Sequence, residues 1–177
     1  MKKITFLSFI LVSFLISSCD TLDSLTQFYY DEETSFTIPG QAPTLFLGDI
    51  STPAMQSSGS QEFENNNSNV NLVESCKLTE LTLTLTAPQE ANFDFLNEIS
   101  IYIEADGLSK KLIATETNVP AGVNTFSLET QDVELVEYIK AGSYTLTTDV
   151  TTDKILSQDH TVNVYSKFFI DAKILGQ

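Results

Sequence analysis

The chain has 177 residues, nine lysines and no arginine against 24 acidic residues, a formal net charge of −15 and a mean hydropathy of +0.01. Scattered lysines without arginine cannot line a basic groove, which disfavours nucleic acid as a partner, and no polybasic cluster is present to hold an anionic membrane surface. One histidine and two cysteines are too few for a structural zinc site.

The chain opens with Met1-Lys2-Lys3, an apolar run from Ile4 to Ile16, and Ser17-Ser18-Cys19. A basic start, a short greasy stretch and small residues before a cut describe a secretory signal peptide over residues 1–18, too short to be a permanent span. The segment Leu15-Ile16-Ser17-Ser18-Cys19 resembles the lipobox of bacterial lipoproteins. The resemblance implies cleavage before Cys19 and a diacylglyceryl thioether on its sulfur, with no cofactor beyond that covalent lipid. It also implies a place in the cell envelope on the outer membrane, its periplasmic or surface face left open. Loss of Lys2 and Lys3 leaves seven lysines against the same 24 acids, a mature charge of −17. The 159 residues that remain of 177 are about one domain, large enough to need no metal or disulfide. With Cys19 committed to lipid, Cys76 has no partner for an internal disulfide and reads as a small buried hydrophobe.

Residues 19–34 carry no sustained period and read as a lipidated, acidic tether. Within it, Asp20-Thr21-Leu22 and Asp23-Ser24-Leu25 look like the Asp-(Ser/Thr)-aliphatic triplet at which Bacteroidota attach O-linked glycans, making Thr21 and Ser24 candidate acceptors. Acids that merely keep a tether solvated would give the same composition. With the absence of arginine and the abundance of Asn, Lys, Ile and Thr, the chain is similar to small lipoproteins of the Bacteroidota.

From Ser35 to Gln177 the sequence predicts one domain built on alternation. Weak strands are expected at Ser35-Ile38 and Thr44-Ile50, with Pro39, Pro43 and Pro53 confining them to sheet edges. Residues 56–69 are polar and low in complexity, a long mobile loop. Leu81, Leu83 and Leu85 then alternate with Thr82, Thr84 and Thr86, the pattern of a half-buried strand. Ile99, Ile101 and Ile103 repeat it, followed by a weaker strand at Lys111-Glu116, then Phe126 and Leu128. Tyr144, Leu146 and Val150 continue the series, and Val162, Val164, Phe168 and Ile170 close it. Two short helices are expected. Asn92 would cap a turn through Phe93-Asn97, and Thr130 would cap Gln131-Lys140, with Asp132 and Glu134 at its positive end, Lys140 at its negative end and Gly142 beyond. Leu135, Val136 and Ile139 would be the buried stripe that plugs one end of the fold.

The expectation is therefore an all-β, antiparallel β-sandwich with one or two short helices in its connections. Ala141-Gly142-Ser143-Tyr144-Thr145-Leu146 resembles the tyrosine corner of immunoglobulin-like domains, and that resemblance implies strands B to G at Leu78-Thr86, Glu98-Glu104, Lys111-Glu116 (C′ or D), Thr125-Glu129, Ser143-Val150 and Thr161-Ala172. No tryptophan marks strand C and no cysteine pair joins the sheets, and a tyrosine that simply opens a strand would leave the same residues.

Catalytic signatures are sparse. No Gly-x-Ser-x-Gly elbow, phosphate-cradling loop or dinucleotide fingerprint occurs. His160 follows Gln158-Asp159 as a turn histidine, or as the centre of an unusual triad. Asp149, Asp153 and Asp159, with Asp106 or Asp132, are weak calcium candidates without a ligand-loop motif, so no metal site is assigned. Tyr29, Tyr30 and Phe63 would stack on a sugar if exposed or pack against the domain if not. Tyr102 and Tyr165 lie on polar strand faces and would serve a partner only on a flat sheet. The function expected is a noncatalytic binding or structural module anchored through lipid, with a protein or glycan partner and neither nucleic acid nor nucleotide. The alternatives are an extracellular hydrolase using paired carboxylates, for which a deep pocket would be diagnostic, and an accessory subunit of an outer-membrane complex.

Overall fold

The computed structural model describes residues 26–40, 47–57 and 61–173. The leader, Cys19, Thr21, Ser24 and the first half of the Thr44-Ile50 strand lie outside the described residues. The elements are β1 (Gln27–Ile38), β2 (Leu47–Ser51), β3 (Met55–Gln56), α1 (Gln61–Asn65), a 3-10 turn (Val70–Leu72), β4 (Val73–Ala87), β5 (Leu96–Glu104), β6 (Lys111–Glu116), β7 (Thr125–Ser127), β8 (Glu129–Thr130), α2 (Val136–Lys140), β9 (Ser143–Thr152) and β10 (His160–Ala172). One sheet has the order β1-β10-β4-β7, the other β2-β9-β5-β6-β8, with β3 also on β9. All pairings are antiparallel.

The alternation does what its period requires. Leu81, Leu83 and Leu85 of β4 face inward, as do Ile99, Ile101 and Ile103 of β5 and Val162, Val164, Phe168 and Ile170 of β10. Together with Tyr144, Leu146 and Val150 of β9 they fill the space between the sheets, so burial of apolar area is the main term holding the layers together. Thr82, Thr84 and Thr86 take the outer face of β4, where a branched Cβ fits the pleat and the hydroxyl stays wet, whereas Thr148 and Thr152 of β9 are buried on its inward face. Cys76 is free and fully buried. Burial, and then the charge of Glu134, pushes its thiol far above the ordinary range, which keeps it inert.

The pairing of β4 with β7, of β5 with β9, and of β5 with β6 is what the B-E, C-F and C-C′ contacts of an immunoglobulin arrangement require. The last strand departs from it. β10 lies between β1 and β4 instead of beside β9. The tyrosine corner is not formed either: Tyr144 is buried, its ring edge-on to Phe168 at 6.4 Å. Its hydroxyl sits beside that of Tyr30 without a hydrogen-bond partner of proper geometry.

Three expected element boundaries need correction. β1 starts at Gln27, inside the segment read as tether. Phe28, Tyr30, Phe36 and Ile38 point inward, but Glu32 and Thr34 occupy inward register positions between them and mask the period. Glu32 is tolerated there because its carboxylate accepts the Tyr30 hydroxyl proton. Residues 61–65 of the polar loop form α1, pinned by Phe63, which packs on Phe28 (5.4 Å) and Tyr30 (5.8 Å). The helix expected from Gln131 begins only at Val136, since Glu129 and Thr130 are drawn into β8 against β6.

Glu134, not Thr130, receives the helix start. Its carboxylate accepts the N–H groups of Leu135 (2.9 Å) and Val136 (3.2 Å), the N–H of Cys76 (2.7 Å) and the Ser75 hydroxyl (2.9 Å). Burial alone would raise its pKa, and these bonds, led by Cys76, outweigh it and hold the carboxyl below the usual range. Leu135 and Ile139 are fully buried, and Gly142 (φ +82) ends the helix in the left-handed conformation. Asn92 caps no helix. Its side chain accepts the N–H of Asp94 at 3.1 Å, a local turn before β5.

Candidate functional site, a polar bay at one pole

β1 pairs along its whole length with β10, from Gln27 opposite Asp171 to Ile38 opposite His160. Its 12 residues span roughly 40 Å at the usual rise and define two poles of the sandwich. The near pole, at Gln27, carries α1, the 3-10 turn and α2. The far pole, at Ile38, carries the connections after β4, β6 and β9.

At the far pole a shallow bay of about 360 Å³ is lined by Glu90, Asn92, Asp94, Phe95, Lys154 and His160. Its frame is local. After the cis Ala87-Pro88 bond, Ala91 N–H closes a turn on the Pro88 carbonyl (3.2 Å), and Glu90 sits at φ +63. Asp94 accepts the N–H of Gly122 at 2.5 Å, and Lys154 Nζ donates to the Asp94 carbonyl at 2.9 Å. Three connections are thereby tied together.

His160 is the fixed element. It is 8% exposed, its ring edge-on to Phe95 at 4.9 Å, and its Nδ1 lies 2.9 Å from the Gln158 carbonyl oxygen. A carbonyl only accepts, so Nδ1 carries the proton and Nε2 of the neutral ring is an acceptor. The segment 158–160, which leads into β10, is clamped from the other side by Gly40. Its N–H donates to Asp159 Oδ1 at 2.8 Å, and a Cβ there would stand 2.6–2.9 Å from the Gln158 backbone.

The carboxylates that spacing offered for calcium are not brought together. Asp149 lies mid-strand with Lys110 at 3.5 Å, Asp132 pairs with Lys77 at 2.6 Å, and Asp106 is at the near pole beside Glu104. Asp153 and Asp159 share the connection after β9, where Asp159 holds Gly40. Among the described residues no three His, Cys, Asp or Glu side chains converge. Tyr30 and Phe63 are core residues, whereas Tyr29 is 54% exposed beside Phe169, with Lys167 over its ring. Tyr102 and Tyr165 sit on the outer faces of different sheets, and Lys110 covers Tyr102, so they form no shared surface.

Sequence reasoning singled out His160 but missed Glu90, Asp94 and Lys154. The signal for the first two was the turn-rich Pro88-Gln89-Glu90-Ala91-Asn92 between two strong strands. Nothing in the local pattern marks Lys154.

No family model matches the chain, and no curated protein matches it. Among solved structures, similarity is found to the capsid of Helicobacter pylori bacteriophage KHP30, at 9% identity over 81% of this chain and 92% of that one, TM-score 0.34. Desmodium yellow mottle tymovirus follows at 9% identity over 85% and 91%, TM-score 0.30. Tomato aspermy virus follows at 13% over 99% and 97%, TM-score 0.30. Likeness at that level carries no functional argument. Among the described residues no helix is long and apolar enough to cross a membrane.

Proposed function

We propose that the chain is a lipid-anchored, noncatalytic binding or structural module of the bacterial cell envelope, held on the outer membrane through Cys19 and presenting its far pole to a protein or glycan partner. The observation that carries this reading is the course of β1. The strand begins at Gln27, eight residues after Cys19 in sequence, and ends at Ile38 beside His160, so the pole that is nearer in sequence to the proposed anchor is the one opposite the bay. From position 19 to position 27 the chain can reach at most about 28 Å, a stalk shorter than the domain is long. An anchored protein that binds with the pole facing away from the bilayer needs this polarity.

The filled core supports the same reading. The inward faces of both sheets pack against each other, and the bays lined by Glu104 to Asp106 and by Glu90 to Phe95 are shallow openings at the poles, where partner contacts form more readily than buried chemistry. Two or three acyl chains on one cysteine hold a protein stably on a membrane where one would not.

The test is protease shaving of intact cells beside a Cys19→Ala control, with mass spectrometry of the mature N-terminus. Acylated Cys19 as first residue and membrane fractionation of the wild type are expected, with loss of both the acyl mass and the cleavage before position 19 in the variant. A wild-type product that keeps Met1, or one whose Cys19 carries no acyl mass, ends the reading.

A further inference from the structure

We infer that the far-pole bay is a binding site for a neutral saccharide, held edge-on by hydrogen bonds; this deepens the anchored-module reading and rests on it. The argument begins with charge. Glu90 and Asp94 present carboxylates and Lys154 an ammonium in one shallow opening, in a chain whose net charge is −15. An anionic ligand would meet two carboxylates and the field of the whole molecule. A cationic one is drawn by that same field, but in the opening itself it meets the Lys154 ammonium, which the Asp94 carbonyl holds in place.

A neutral polyol meets neither objection, because each hydroxyl both donates and accepts. The bay supplies both roles. Acceptors are the carboxylate of Glu90, which makes no hydrogen bond or ion pair among the described residues, the second oxygen of Asp94, and His160 Nε2. Donors are the Asn92 amide, whose oxygen is already occupied by the Asp94 N–H, and the remaining protons of Lys154 Nζ. His160 is oriented before any ligand arrives, since its Nδ1 is held by the Gln158 carbonyl and its ring by Phe95. Little ordering cost therefore falls on that contact. Phe95 is 5% exposed, so its face is not free to stack on a sugar ring, and recognition falls to the polar rim. A shallow site without stacking binds weakly, on the order of millimolar, and many copies anchored on one membrane would raise the avidity.

The experiment titrates the full mature chain, ¹⁵N-labelled and held in detergent, with glucose, galactose, mannose and N-acetylglucosamine and with disaccharides of each. Inorganic phosphate and putrescine are the charged controls. The expected result is saturable movement of the 90–94 amides and of the His160 ring nitrogens with at least one sugar, and none with either control. Glu90→Gly keeps the positive-φ backbone and removes the carboxylate, so it should weaken that sugar roughly tenfold with an unchanged circular-dichroism spectrum. The inference is overturned if no sugar moves these resonances, if putrescine or phosphate moves them equally, or if Glu90→Gly binds as the wild type does. None of these outcomes touches the lipid on Cys19, so the anchored-module reading stands or falls on its own test.

Discussion

The two poles of the sandwich end the same pair of sheets in opposite ways. At the near pole Phe63 lies across Phe28 and Tyr30, Leu135 and Ile139 are fully buried, and the Glu134 carboxylate before the helix start accepts four hydrogen bonds. At the far pole the acids and His160 frame an open bay, and their hydrogen-bonding capacity is only partly used inside the protein. A strand that must stop somewhere can be closed by grease or left wet. Here one end is committed to stability, and the wet end is where ligand chemistry is available.

The largest effect should come from the closed pole. Phe63 is 3% exposed and packs edge-on and tilted against two rings, so Phe63→Ala is expected to cost about 3–5 kcal/mol, the range for a large buried aromatic. Urea unfolding followed by far-ultraviolet circular dichroism measures it. A loss below about 1 kcal/mol would mean that α1 is an ornament on the surface, and the contrast between the poles would fail.

The open pole has its own structural weak point in Gly40. A Cβ there meets Gln158 backbone atoms at 2.6, 2.7 and 2.9 Å, and backbone cannot swing aside as a side-chain tip can. Gly40→Ala should cost about 1–3 kcal/mol. It should also shift the His160 ring resonances, because Gln158 is the residue that orients that ring. A thermal melt gives the first number and a ¹⁵N spectrum the second. A stability loss with His160 unmoved would show that the clamp and the bay are independent.

Much of the architecture was legible because strands with one buried face must alternate. β4, β5, β9 and β10 fall on segments that the period marks, β6 falls on a weaker candidate whose burial does not alternate, and the prolines rightly confined β1 and β2 to sheet edges. β1 was mostly hidden, since Glu32 in an inward position looks like a tether acid until the Tyr30 hydroxyl is seen to meet it. The position of β10 could not be read, because its own alternation says which face is buried and nothing about which neighbour it pairs with. The bay was the least legible. Glu90, Asp94 and Lys154 come from two connections 60 residues apart along the Asp94-to-Lys154 contact, and no local pattern encodes that approach.

The smallest predicted effect separates this fold from the immunoglobulin resemblance most sharply. In a tyrosine corner the hydroxyl bonds back to the chain, so removing it forfeits a hydrogen bond, typically about 0.5–1.5 kcal/mol. Tyr144 is 1% exposed and its hydroxyl is unpartnered. Burial, then the charges of Tyr30 and Glu32, pushes its pKa far above the ordinary range, so it stays a neutral phenol that has lost water and gained no partner. Tyr144→Phe removes only that unsatisfied group and keeps the ring against Phe168. Stability should change by no more than about 0.5 kcal/mol, with stabilisation the expected sign. Tyr30→Phe is the contrast, since it strips Glu32 of the proton donor that makes its inward position tolerable, and it should lose about 1 kcal/mol. Denaturant midpoints for the pair, at unchanged m-value, decide the matter: a Tyr144→Phe loss as large as that of Tyr30→Phe would mean that the Tyr144 hydroxyl is bonded after all, and that the near pole closes around a corner instead of around grease.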